Sequence, residues 1–200
     1  MAFVFKLDKD LPPGFKENSG QPHLPALATY LEGFNGGVYE TREDFEHIMK
    51  GFYDYLRKNM IREKDSSGIP YMAYLCKDGC VGASGDPDDC AHRFGELKEV
   101  KSVVFRLRTD MPPGFVENES QPLLPEAVKF LEDYDGKEFI GPKKFQEELD
   151  RFNSGLEMRR QKGEIDGYTR SILSLYVIGG HVIQDPGVDR FFGNLVPAET

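Results

Sequence analysis

Residues 4–25 read VFKLDKDLPPGFKENSGQPHLP, and residues 104–125 read VFRLRTDMPPGFVENESQPLLP. The register of the two stretches holds without a gap, which chance does not give at this length. The sequence therefore indicates an internal duplication, in which residues 3 to about 78 and 103 to about 180 are two copies of one unit. The match thins beyond these stretches but persists at apolar positions with helical spacing, which in the first copy are Leu31, Phe45, Phe52 and Leu56.

Large apolar residues at every second position open each copy. The first copy has Phe3, Phe5 and Leu7, and residues 103–107 repeat the pattern. A period of two predicts a short, half-buried strand in each copy. The Pro-Pro-Gly sequence that follows, at residues 12–14 and 112–114, excludes a helix there because proline fixes the backbone and glycine lets it turn.

The sequence predicts two helices after this loop. The first begins near Pro25 and ends near Gly36, because proline suits the first helical turn and glycine suits the residue that follows a helix. The second has apolar residues at i, i+3, i+4 and i+7 spacing from Phe45 onward, and Thr41 with Asp44 resembles a capping box.

An apolar run closes each copy, at residues 69–76 and 171–178. Periodicity cannot separate a buried helix from a central strand in such a run. We expect a third helix here, with Gly79 and Gly179 as the stop signals at its end.

We therefore expect an α+β, mostly helical fold. It would be a tandem duplication of a unit with a strand, a loop, two helices and an apolar element, packed with pseudo-twofold symmetry and with the two opening strands paired across the axis. The expected divisions are a first repeat unit at residues 1–80, a Gly/Asp-rich connector with cysteine and histidine at 81–100, a second unit at 101–182 and an irregular C-terminal tail at 183–200.

The composition limits the class of protein. A net charge of −9 and a pI near 5.0 argue against nucleic-acid binding, which needs clustered Lys and Arg. The first residues lack the basic start and apolar run of a secretion signal, and no stretch approaches a membrane span, so we expect a cytoplasmic protein. Three cysteines are an odd and sparse count, so we do not expect disulfides to stabilise the fold.

The polar residues that recur most faithfully lie in the loop rather than on the helices. They have two interpretations: they hydrogen-bond the loop's own backbone, or they present one binding surface twice to a protein partner. The predicted partner-binding residues are Phe15, Glu17, Asn18 and Gln21 in the first copy and Phe115, Glu117, Asn118 and Gln121 in the second.

The stretch from Cys76 to His92 contains four side chains of zinc-ligand type. Cys76, Cys80, Cys90 and His92 permit a structural zinc site, and the intervening glycines give the backbone freedom to wrap an ion. Against this, the first spacing is wider than that of a usual zinc knuckle, and the second copy has no such set. Buried cysteines with a surface histidine, and no cofactor, are the alternative.

From these features we predict a non-enzymatic protein-binding module, an adaptor or inhibitor, that uses the duplicated PPGFxEN loops. The rival class is a metal-dependent enzyme or a zinc-stabilised domain centred on the cysteine and histidine segment. A third hypothesis is an acidic inhibitor that mimics nucleic acid, which is disfavoured because 25 Lys and Arg offset 34 Asp and Glu. The predicted partner is a protein, and association into homo-oligomers is left open.

Overall fold

A computed structural model describes residues 1–59, 61–62, 64, 71–84, 88, 90–111, 123–184 and 190–198. The chain divides into two compact units. We call Phe3–Glu99 the N-terminal unit, and Val100–Thr200 together with Met1–Ala2 the C-terminal unit.

The described part of the N-terminal unit contains five strands, two α-helices and one turn of 3-10 helix. In chain order these are β1 (Ala2–Leu7), the 3-10 turn (Pro13–Phe15), α1 (His23–Glu32), β2 (Val38–Tyr39), α2 (Arg42–Lys58), β3 (Met72–Leu75), β4 (Cys80–Ser84) and β5 (Arg93–Val100).

The described part of the C-terminal unit contains five strands and three α-helices. In chain order these are β6 (Val103–Leu107), α3 (Leu123–Glu132), β7 (Glu138–Phe139), α4 (Pro142–Gln161), α5 (Gly167–Leu173), β8 (Leu175–Ile178), β9 (His181–Gln184) and β10 (Arg190–Pro197).

Each unit is built on one five-stranded sheet. The strand order is β2-β1-β5-β4-β3 in the N-terminal unit and β7-β6-β10-β9-β8 in the C-terminal unit. In both sheets the opening strand therefore lies second, between the short strand that follows the first helix and the last strand of the unit.

The expected mostly helical class is wrong. The structure consists of two curled antiparallel five-stranded sheets, with 39% helix and 28% strand. The expected connector at residues 81–100 contains β5 and most of β4, and the expected irregular tail at residues 183–200 contains β10 and the end of β9. Nor do the opening strands pair with each other, because β1 and β6 each have a neighbour on both sides within their own sheet.

Local sequence signals account for the elements that were predicted correctly. The opening strands at β1 and β6 are confirmed. The capping box of α2 is also confirmed: the Asp44 N–H donates to Thr41 Oγ1 at 3.1 Å, and the Thr41 N–H donates to Asp44 Oδ2 at 2.9 Å. This reciprocal pair satisfies two backbone donors that a helix start leaves open, so α2 begins where the sequence indicates.

The third helix expected in each copy is wrong for the first run, where Met72–Leu75 form β3. In the second run only residues 171–173 are helical, as the end of α5, and Leu175–Ile178 form β8. Both strands form an antiparallel hairpin with the strand that follows. The backbone φ angle is 89° at Gly79, 58° at Gly179 and 84° at Gly180. Positive φ at these positions is typical of tight hairpin turns, so these glycines reverse the chain between two strands instead of ending a helix.

An aromatic pair lies over a glycine in the N-terminal sheet. The ring of Phe5 on β1 stacks on Phe45 of α2, with 4.9 Å between the centroids. A Cβ atom added at Gly95 of β5 would lie 3.0 Å from the Phe5 ring and would overlap the carbonyl oxygen of Lys6. The glycine therefore makes room for the ring and for close approach of the two strands. The corresponding residues of the C-terminal unit are Phe105, Phe145 and Gly193.

Two amide side chains of α4 bond to the backbone of β8, the terminal strand of its sheet. Asn153 is buried; its Nδ2 donates to the Leu175 carbonyl oxygen at 2.9 Å, and its Oδ1 accepts from the Leu175 N–H at 2.8 Å. Gln146 Oε1 accepts from the Val177 N–H at 2.8 Å. These side chains do for β8 what another strand would do, because each supplies hydrogen-bond partners to its outer edge.

We expect Gly95→Ala and Gly193→Ala each to lower the free energy of unfolding by about 1–3 kcal/mol, because the added methyl group has no space beside the aromatic ring. Urea denaturation followed by circular dichroism measures the change. Gly155→Ala is the matched control: it lies inside α4, its added Cβ meets no atom within 4 Å, and alanine in a helix is favoured by roughly 0.5–1 kcal/mol. Equal stability of Gly193→Ala and Gly155→Ala would contradict the packing argument.

We expect Asn153→Ala to lower the free energy of unfolding by about 2–3 kcal/mol, because it leaves a buried N–H and a buried carbonyl of Leu175 without that partner. Arg151→Ala on the same helix is the control, since the Arg151 side chain is 73% exposed and loss of such a surface ion pair costs about 0–1 kcal/mol. The same urea titration separates the two. Indistinguishable midpoints would show that the amide contributes nothing to β8.

Candidate functional site

The loop that follows β1 is joined to β5 at its start. The Asp8 N–H donates to the Phe94 carbonyl oxygen at 2.8 Å, and Arg93 Nε donates to Asp8 Oδ2 at 3.0 Å. This hydrogen bond is the main reason that the pKa of Arg93 is raised above its ordinary value. The ion pair is exposed, so its role is to orient the chain more than to stabilise it.

Phe15 holds the middle of the loop to the same strand. The 3-10 turn at Pro13–Phe15 directs the ring inward, where its centroid lies 4.8 Å from that of Phe94 and 5.6 Å from that of His92. One of the predicted binding residues, Phe15, is thus packed against two residues of the segment that leads into β5. The Phe15 side chain is half-buried by these contacts.

Asn18 shapes the end of the loop. Its Oδ1 accepts hydrogen bonds from the N–H groups of Gly20 and Gln21, both at 3.0 Å. The half-buried Gln21 in turn accepts the Leu24 N–H at its carbonyl oxygen, at 3.0 Å, in the first turn of α1. The amide of Asn18 therefore sets the path from the loop into the helix, as Asx turns do.

The outward residues of the loop are a different set. Pro12, Pro13, Lys16 and Glu17 have exposed side chains. The two prolines have restricted backbones, and the Glu17 N–H donates to the Pro13 carbonyl oxygen at 3.2 Å. These four residues form the exposed face of the loop.

The predicted residues of the second copy, Phe115, Glu117, Asn118 and Gln121, lie outside the described residues.

The three cysteines of the predicted metal site lie together in the N-terminal unit. The Sγ atoms of Cys76, Cys80 and Cys90 are all within 4.8 Å of one another. Cys80 and Cys90 form a disulfide with 6.5 Å between their Cα atoms, contrary to the expectation from the cysteine count. Cys76 and Cys80 are buried, and Cys90 is half-buried. A disulfide and a metal ion compete for these sulfur atoms, because only thiolates bind the metal.

His92 does not join the three sulfur atoms. Among the described residues, the group close enough to hold a metal contains the cysteines alone. The His92 backbone has a φ of 52°, and its ring packs edge-on against Phe15. The structure therefore brings together three of the four predicted ligands.

The cysteine cluster and the loop are connected through residues 90–94. The disulfide fixes Cys90 to β4, and the next residues lead directly to His92 and Phe94, which contact Phe15. The segment lies close to β4: a Cβ atom added at Gly82 would lie 2.8 Å from the Ala91 carbonyl oxygen. The disulfide thus restrains the surface on which the loop rests.

No helix in the part of the chain that the structure describes is long and apolar enough to cross a membrane. Comparisons of the chain with protein-family models, with curated proteins and with solved structures find no match. The function must therefore be argued from the loop and the cysteine cluster themselves.

Proposed function

We propose that the chain is a non-enzymatic protein-binding module, and that the exposed face of its PPGFxEN loop contacts the partner. The observation that carries this proposal is the division of the loop into anchored and exposed residues. Phe15 and Asn18 are held by the protein, whereas Pro12, Pro13 and Glu17 are exposed.

A loop of this kind favours binding because its conformation is restrained before the partner arrives. Restraining a loop in its bound form removes part of the entropy cost of association. Here the restraints are the two prolines, the amide of Asn18 and the packing of Phe15 on Phe94. A larger part of the free energy of the contacts then remains as binding free energy, because less is lost in ordering the loop.

The chemistry of the exposed face indicates the kind of partner. Pro12 and Pro13 offer an apolar surface, and Lys16 and Glu17 add one positive and one negative charge beside it. A complementary protein surface has an aromatic or aliphatic side chain against the prolines and a Lys or Arg within reach of Glu17. Residues 112–118 are the sequence equivalent in the second copy, and we propose that they bind in the same way.

We expect the double variant Glu17→Ala/Glu117→Ala to lose the partner while keeping the melting temperature of the wild type, because the Glu17 side chain is exposed. Affinity capture with the full-length chain from extracts of the native host, quantified by mass spectrometry, is the measurement. Glu99→Ala/Glu132→Ala is the charge-matched control, since both side chains are also exposed but lie on β5 and α3. Identical captured proteins, in identical amounts, for the double variant and the wild type would refute the loop as the contact surface.

Asn18→Ala separates positioning from contact. It removes the acceptor of two backbone hydrogen bonds, so we expect stability to fall by about 1 kcal/mol and capture to weaken together with it. Glu17→Ala should weaken capture alone.

A zinc-stabilised domain centred on the cysteine cluster is the second candidate. The observation in its favour is the mutual distance of the three sulfur atoms, within 4.8 Å. Two sulfurs on one tetrahedral zinc lie roughly 3.8 Å apart, because each Zn–S bond is about 2.3 Å. Small side-chain shifts would bring Cys76, Cys80 and Cys90 to this spacing once the disulfide is reduced. A fourth ligand would have to come from water or another group.

We expect the reduced protein to retain one zinc ion per chain and to melt at a lower temperature after chelation. Elemental analysis and thermal denaturation measure the two effects. Cys76→Ser should abolish both, whereas His92→Ala should keep both, because the His92 ring lies against Phe15 and not among the sulfur atoms. Reduced protein that holds no metal and melts identically with and without a chelator would eliminate this candidate.

A further inference from the structure

A disulfide with a third cysteine sulfur nearby is the arrangement from which thiol–disulfide exchange starts. Cys80 is bonded to Cys90, and Cys76 lies within 4.8 Å of both. Cys76 is not part of the disulfide. The third sulfur is therefore placed where it can replace one of the other two.

We propose that Cys76, Cys80 and Cys90 form an exchange unit, in which the disulfide moves from Cys80–Cys90 to Cys76–Cys80 and releases Cys90. The site is one of covalent modification, and its reagent is a thiol of the same chain.

The step is balanced without an external oxidant or reductant. The Cys76 thiolate attacks the Sγ atom of Cys80, a new sulfur–sulfur bond forms, and the bond from Cys80 to Cys90 breaks. The electron pair of that bond leaves on the Sγ atom of Cys90, which takes up the proton that Cys76 has given away. One disulfide and one thiol are present before and after the step.

The β3–β4 hairpin favours Cys80 as the atom attacked. The Cys76 N–H donates to the Cys80 carbonyl oxygen at 2.8 Å, so the two residues face each other where the strands meet the turn. Side chains that are directly opposite on antiparallel strands lie on one face of the sheet, with Cβ atoms about 4.5–5.5 Å apart. A disulfide needs Cβ atoms about 3.5–4.5 Å apart, so a small closure of the hairpin end suffices.

The burial of Cys76 and Cys80 favours reaction between these two residues over reaction with an external thiol. Cys76 is 6% exposed and Cys80 is 4% exposed, so an external thiol or alkylating reagent is hindered from reaching either sulfur. Cys90 is half-buried and is the most accessible of the three. The exchange therefore moves the reactive thiol from a buried position to one that reagents can reach.

The exchange alters the support of the loop. In the new disulfide the two bonded residues belong to one hairpin, and Cys90 is no longer fixed to β4. Residues 91–94, with His92 and Phe94, then lose the covalent restraint on the surface that contacts Phe15. This consequence for binding rests on the proposed loop function, whereas the exchange itself does not.

Alkylation of the full-length native protein with a maleimide, in a buffer that contains a metal chelator, tests the exchange. Peptide mapping by mass spectrometry under non-reducing conditions then locates the label and the disulfide. We expect the label to accumulate on Cys90 with a Cys76–Cys80 disulfide, because the maleimide traps the accessible thiol as exchange supplies it. A label confined to Cys76, or a Cys76–Cys90 disulfide, would overturn the proposal.

Cys76→Ala is the control variant. Without the attacking thiol it should keep the Cys80–Cys90 disulfide and take up no label at either residue. Label on Cys90 in this variant would also overturn the proposal, because it would show that Cys90 is released without Cys76. The wild-type label position decides the question by itself if the variant does not fold.

Hydrogen exchange tests the link to the loop. We expect the backbone N–H groups of Phe15, Gly20 and Gln21 to exchange several-fold faster in protein labelled at Cys90 than in Cys76→Ala. Equal rates would contradict the coupling between the disulfide and the loop. Neither experiment involves a partner, so failure of the exchange is distinguishable from failure of the loop-binding proposal, which the Glu17→Ala/Glu117→Ala capture decides.

Discussion

The ring of Phe5, stacked on Phe45 and seated over Gly95, determines how β1 lies against β5. A side chain on Gly95 would push the two strands apart, and a smaller residue in place of Phe5 would leave a gap beneath α2. The same contact sets the start of the loop, because β1 ends at Leu7 and the next residue, Asp8, bonds to Phe94 beside Gly95. The position of the loop is therefore a consequence of core packing one strand earlier in the chain.

Local rules predicted the elements whose information is local. The alternation in β1 and the capping box of α2 each lie within a few residues of sequence, and both are present. Local rules do not predict the hairpins, because apolar runs suit helix and strand equally and a glycine can either end a helix or form the turn of a hairpin. The last strands had a usable signal: Phe-Gly-x-Leu at residues 94–97 recurs at residues 192–195. The reason for this glycine is the aromatic ring of the neighbouring strand, which is far away in sequence and comes beside the glycine only when the two strands pair.

The sequence indicated several residues of the candidate site, but not how their side chains are arranged in space. The zinc hypothesis was based on the residue types within a short segment, and the sulfur atoms of Cys76, Cys80 and Cys90 do lie close together. Nearness in sequence predicts His92 beside them, but its ring packs against Phe15 and its backbone is left-handed. The recurring polar loop residues had two interpretations, bonding of the loop's own backbone or contact with a partner. The hydrogen bonds of Asn18 to the loop backbone favour the first for this residue.

The amides of Gln146 and Asn153 also bear on how the protein behaves when it is concentrated. A terminal strand with unsatisfied backbone groups is a template for pairing with another molecule, and this pairing is the first step towards fibrils. In the C-terminal unit those groups are partly occupied by the side chains of a packed helix. At the aligned positions of the N-terminal unit stand Glu46 and Tyr53, which lack the paired donor and acceptor of an amide. The amide contacts that cover the edge of the C-terminal sheet are therefore not available from the aligned residues of α2.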